Sequence, residues 1–143
     1  WAYMPFENVQ VRFNSDGSME FSSNLMLDRI PDFINTIGGV GYSITDIQKG
    51  LGIISTLENN PPFYFRAKAT VKDNQPQIEL TSAQIGRIPL PIEKIDSNAL
   101  LEKLTTQVFN KISGLDVKSF DIVNKEFLFK GTVPEKVQVY QDK

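Results

Sequence analysis

Six segments of the chain alternate apolar and polar residues with a period of two, and they come as three pairs, each joined by a short polar turn. That period puts one set of side chains on a core face and the other in water, so each pair reads as a β-hairpin and the fold as mainly antiparallel. In the first pair Val9, Val11 and Phe13 oppose Gln10, Arg12 and Asn14, and Met19, Phe21 and Leu25 oppose Glu20, Ser22 and Asn24, with Ser15-Asp16-Gly17 as the turn. In the second, Phe63, Phe65, Ala67, Ala69 and Val71 run toward Asp73-Asn74-Gln75-Pro76 and a partner carrying Ile78 and Leu80. Ala83 and Ile85 fall in the opposite phase, which predicts a bulge or sharp bend near Ser82. The third pair sets Val117, Phe120 and Ile122 against Phe127, Phe129 and Val133, all expected inward, across an Asn124-Lys125 turn.

Helical spacing fills the intervals. Leu27, Ile30, Ile34 and Ile37 follow steps of three and four, with Asp28 as the expected N-cap, Pro31 in the first turn and Gly38-Gly39 as the stop. Ile44, Ile47, Leu51 and Ile54 repeat the spacing, but Gly50 and Gly52 each cost roughly 1 kcal/mol relative to alanine, so this second helix is expected to be marginal and mobile. Ile88-Pro89-Leu90-Pro91 reads as an extended connector. After it, Asp96 or Ser97 caps a helix whose Leu101, Leu104, Val108, Phe109 and Ile112 form one broad apolar face. The expected architecture is α+β, a curved and mainly antiparallel sheet wrapped around a long C-terminal helix, in the order ββ-αα-ββ-α-ββ.

With 143 residues, 41% of them hydrophobic, the chain is the size of a single domain, 1–143, and can build its core without disulfides or structural metal. Cysteine and histidine are both absent, which excludes thiol nucleophiles, Ser-His-Asp triads, haem ligation through either residue, and thiolate or imidazole zinc sites. A net charge of -2 with no basic block argues against nucleic acid as a partner. No apolar run reaches the roughly 18 residues of a spanning helix. The first residue is Trp1 and not Met, the start expected of a trimmed or processed chain, which leaves room for an upstream signal or anchor.

Motifs for chemistry fail on inspection. Gly39-Val40-Gly41 has Ile44 where a dinucleotide-binding loop needs its third glycine, and Gln48-Lys49-Gly50 inverts the order of a phosphate-binding loop. Placing Gly17 at the invariant glycine of an EF-hand puts Arg12 at the first ligand position. Asp28 and Asp32 are explained by a helix N-terminus. The expectation is a non-enzyme with no cofactor and no metal.

Phenylalanine is the remaining skew, at ten residues, most of them on the apolar faces of the expected strands. Small residues on those faces, Ala67, Ala69, Ser23, Ser82 and Gly131, would leave room between a bent sheet and the helix. The expected result is an aromatic-lined groove walled by Phe63, Phe65, Leu104, Val108, Phe109, Phe127 and Phe129, with Gly38 to Gly52 as a movable mouth. A solid core in an interaction or scaffold module is the alternative.

Ile85-Gly-Arg-Ile-Pro-Leu-Pro91, the helix through Leu104 and Val108, Gly114-Leu-Asp-Val-Lys-Ser-Phe-Asp-Ile122 and Phe129-Lys-Gly-Thr-Val-Pro134 together form a pattern. It resembles the YpmS-like family of extracytoplasmic bacterial proteins and, more loosely, is similar to TULIP-like (tubular lipid-binding) domains. The resemblance implies an extracytoplasmic domain, tethered to the membrane surface by an upstream anchor, that carries or senses a lipid or other amphiphile. An envelope protein would be the partner in the scaffold alternative.

Overall fold

The computed structural model describes residues 3–39, 60–94 and 96–135, together with 41, 43, 45, 49 and 52. Strands β1 (Phe6–Phe13) and β2 (Ser18–Leu25) form the first hairpin, in which Phe13 pairs with Met19 across the Asp16-Gly17 turn. Gly17 takes φ 79°, and Asp16 Oδ1 accepts from both the amide and the hydroxyl of Ser18, at 3.0 and 2.6 Å. A tight turn of this kind needs a residue without a Cβ penalty and a short side chain that folds back on its own backbone.

A 3₁₀ turn (Leu27–Arg29) leads into α1 (Ile30–Ile37), where Pro31 occupies the first turn and Gly38 closes the helix at φ 96°. The stop agrees with the spacing, but Asp28 lies inside the 3₁₀ turn and no side chain caps α1. Of the helix expected over Ile44 to Ile54 only Thr45, Lys49 and Gly52 are described, all three helical; the rest of it, and with it most of the proposed mouth, lies outside the described residues.

Strands β3 (Pro62–Lys72) and β4 (Gln75–Ile85) are the long central hairpin. Their register slips between Arg66, opposite Ser82, and Ala67, opposite Leu80. Thr81 is therefore the extra residue of a bulge, and its hydroxyl donates to the Arg66 carbonyl oxygen at 2.9 Å. This is the phase change read from the sequence. The proline-rich connector becomes a two-residue edge strand, β5 (Ile88–Pro89), on the end of β4.

Helix α2 (Ser97–Lys111) packs chiefly on β4. Asn98 Oδ1 accepts the Leu80 amide and Glu102 Oε1 accepts the Ile78 amide, each at 2.9 Å. Four residues of helix rise about 6 Å, close to two residues of strand, so an i, i+4 pair of acceptors can satisfy an i, i+2 pair of edge donors. The helix thereby covers an open sheet edge. Asp96 accepts from Ala99, as the capping pattern requires.

Strands β6 (Asp116–Val123) and β7 (Glu126–Thr132) complete a seven-stranded antiparallel sheet. Residues 62–68 of β3 pair with β2, while Val71 and Lys72 pair with β6 along the same edge, so the sheet splits and curls there. Asn74, at φ 60° in the β3–β4 turn, pins the split. Its side chain donates to Asp116 at 2.8 Å and accepts the Val117 amide at 2.7 Å. Asn74→Ala removes both bonds and a residue that tolerates positive φ, and should cost about 2 to 3 kcal/mol in urea unfolding.

The α+β class and the curled antiparallel sheet stand. Among the described residues the order differs from ββ-αα-ββ-α-ββ by the added β5; the two final strands follow α2 as expected, and α2, at 15 residues, is not a long C-terminal helix.

Candidate functional site

Register brings the apolar sides of β2, β3 and β4 onto one concave face. Along it run the rows Ser23–Phe63–Ile85, Phe21–Phe65–Ala83, Met19–Ala67–Leu80 and Ala69–Ile78. The two ends of this face are finished differently.

At the α1 end, rings fill the space. Phe6, Phe21, Phe63 and Phe65 stack or meet edge-on with centroids 5.0 to 6.2 Å apart, and Leu25, Leu27, Ile37 and Ala83 are buried. Phe63 belongs to this ring cluster.

At the α2 end the face stays hollow. A cavity of about 370 Å³, partly open to solvent, lies over Ala67, Ala69 and Val71 of β3, with Met19 and Phe65 at one end and Pro76 and Ile78 beside it. Leu101, Thr105 and Phe109 of α2 face it at steps of four, and Leu115, Val117, Phe120 and Phe129 close the remaining side. Ala67 and Ala69 line the cavity where the small-residue argument expects room. Thr70 and Thr105 are the only polar side chains among its described lining residues.

Of the expected wall, Phe65, Phe109 and Phe129 line the cavity, whereas Phe63, Leu104, Val108 and Phe127 do not. Leu104 and Val108 fall out because the face that α2 turns to the sheet is set by Asn98 and Glu102 on the β4 edge. Phe127 is 58% exposed, its ring centroid 5.6 Å from that of Phe13 on β1 and 6.5 Å from that of Phe120 on β6. Sequence reading missed Met19, Ile78, Leu101, Leu115, Val117 and Phe120; Met19, Ile78 and Leu101 carry the apolar period of their elements, whereas Val117 and Phe120 reach one face only through the register slip between Val117 and Ser119, and Leu115 precedes the strand.

Three further expectations of inward faces change. Every residue of β7 is exposed, with Phe129 at 38%, and Val133 beyond it is exposed at 64%. Val9 and Val11 of β1 are also exposed, because β1 is an edge strand whose register slips between Glu7 and Gln10 around Asn8 at φ 54°. Ser82 pairs with Arg66 in a polar row on the convex face.

That convex face carries the charge. Arg66 donates to Asp16 at 2.7 Å, and Glu20 accepts from Tyr64 at 2.8 Å and from Asn14 at 3.2 Å. Bonds from Ser18 hold the Asp16 carboxyl below the usual carboxylate range, the Tyr64 bond does the same for Glu20, and the Asn74 bond for Asp116. Burial, with Glu20 beside it, raises the Tyr64 hydroxyl. Each of these groups has its partner, so the network reads as a structural brace.

A lowered carboxylate binds fewer protons in the folded than in the unfolded chain, so its stabilisation is complete above the unfolded pKa and is lost as pH falls through the folded one. Urea midpoints should hold from pH 7 down to pH 5 and decline below about pH 4. Asp16→Asn should flatten part of that decline.

Among the described residues no three Asp or Glu side chains gather as a metal site requires, and no helix is long and apolar enough to cross a membrane. The chain matches no family model, no curated protein and no solved structure.

Proposed function

We propose that this chain is a non-catalytic domain that binds a lipid or other amphiphile, holding its apolar chain between β3, β4 and α2. The observation that carries this reading is the cavity of about 370 Å³, whose described lining is apolar except for two threonines and whose floor is kept low by Ala67 and Ala69. Its volume lies in the range of small-molecule sites. Tight packing is the norm in interiors, and an apolar hollow costs stability unless something of matching chemistry uses it. Desolvation supplies the driving force, at ~0.8 kcal/mol for each methylene buried.

The resemblance of residues 85–134 to YpmS-like and tubular lipid-binding domains supports the same reading. It adds an extracytoplasmic location and a tether to the membrane surface through a preceding segment. The second reading, an envelope scaffold with a protein partner, is favoured by β1, an outermost strand in the described sheet that carries exposed Val9 and Val11.

Organic extraction of the natively purified chain, followed by mass spectrometry, should yield a stoichiometric amphiphile. The stripped protein should bind a fluorescent acyl probe at one equivalent. An extract without amphiphile and no probe binding would favour the scaffold.

A further inference from the structure

The size and chemistry of the cavity narrow the class of amphiphile, an inference that rests on the amphiphile reading itself. A methylene takes about as much room as a water molecule in the liquid, roughly 30 Å³. A cavity of about 370 Å³ therefore accepts on the order of a dozen chain carbons. A lipid with two long chains would have to leave most of its carbons in water.

The described lining also carries no charged side chain. Thr70 and Thr105 are the only polar side chains among the described lining residues, and neither can neutralise an anion or a cation. A carboxylate or phosphate drawn inside would give up its hydration with no counter-charge. The head group stays at the side of the cavity that is open to solvent, and its charge contributes little to affinity.

We infer that the cavity selects single-chain amphiphiles by length, with a limit near twelve carbons, and does not discriminate among head groups by charge. Ala69 sits at mid-wall opposite Ile78, so a longer side chain there shortens the space that a chain can use.

The test uses the stripped 143-residue chain and displacement of a fluorescent acyl probe at pH 8. Competitors are straight-chain fatty acids and the matching primary alcohols of eight to eighteen carbons, and vesicles of dioleoyl phosphatidylcholine. Each two-carbon step up to about twelve should raise affinity roughly tenfold, and later steps less than about threefold. Acid and alcohol of equal length should agree within about threefold, and the vesicles should displace the probe far less well than dodecanol. In Ala69→Leu the break should move about three carbons shorter. The inference is overturned if affinity keeps climbing to eighteen carbons, if acids exceed alcohols tenfold, if the vesicles match dodecanol, or if Ala69→Leu leaves the break in place. Failure of the probe and of every single-chain compound to bind would instead remove the amphiphile reading itself, and this inference with it.

Discussion

Ala69→Phe should weaken acyl-probe binding at least tenfold while leaving the ligand-free protein folded. Ala69 lies opposite Ile78 in the cavity wall, and the next concave residue on either side along β3 is Ala67 or Val71. A phenylalanine ring built there projects into the volume that a chain would use. Adding bulk to a close-packed interior costs roughly 1 to 3 kcal/mol, but a ring that enters a cavity meets space and gains apolar contacts, so stability should stay within about 1 kcal/mol of the parent. Affinity should fall at least tenfold, equivalent to about 1.4 kcal/mol. Val108→Phe supplies the contrast, because Val108 is absent from the described cavity lining and the same added bulk should leave probe affinity within about twofold. Urea unfolding and probe titration on both variants read the two quantities separately. A large stability loss in Ala69→Phe with unchanged binding would point to a solid interior and put the scaffold ahead.

The largest expected effect on stability is at Gly131. This residue pairs with Val117 beside the β6 irregularity and takes φ 147°, a conformation open to glycine almost alone. A methyl group there would overlap the Asp116 carbonyl oxygen and crowd the Lys118 amide. Both obstacles are backbone, so no rotamer change relieves them, and β6 and β7 must part. Gly131→Ala should cost on the order of 3 kcal/mol, a large share of the 5 to 15 kcal/mol typical of a domain. Gly38→Ala is the control: φ is also positive, at 96°, but an added Cβ meets nothing within 4 Å, so about 1 kcal/mol is expected. Because Phe129 on β7 lines the cavity, Gly131→Ala should weaken probe binding too. Equal unfolding midpoints for the two variants would contradict the close approach at Asp116.

Gly131 also separates two kinds of small residue that look alike in a sequence. Ala67 and Ala69 are small where a cavity needs room, whereas Gly131 is small because another strand's backbone crosses at contact distance. Period-two alternation places all three on an apolar face and has no access to what stands opposite. Ser23 adds a third case, buried on the concave face with no hydrogen-bond partner for its hydroxyl among the described residues.

Local signals determined the hairpins, because turn chemistry and alternation act within a few residues. The Asp16-Gly17, Asp73-Asn74 and Asn124-Lys125 turns fall where they are read, with positive φ at Gly17, Asp73, Asn74, Asn124 and Lys125. The bulge at Thr81 follows from a phase change visible in the residues themselves. Tertiary structure alone decided which apolar faces are covered. Val11, Phe127 and Phe65 carry the same alternation, yet Val11 is 47% and Phe127 58% exposed, while Phe65 is sheltered in the ring cluster and the cavity. The same holds for α2, whose apolar face is broad enough to dock in several rotations. Two hydrogen bonds that Asn98 and Glu102 accept from the β4 edge choose the one that turns Leu101, Thr105 and Phe109 inward and leaves Leu104 and Val108 aside. Alternation and helical period record which side of an element is apolar, but the partner that covers it lies far away in sequence, and its position depends on register, edge pairing and helix rotation across the whole sheet.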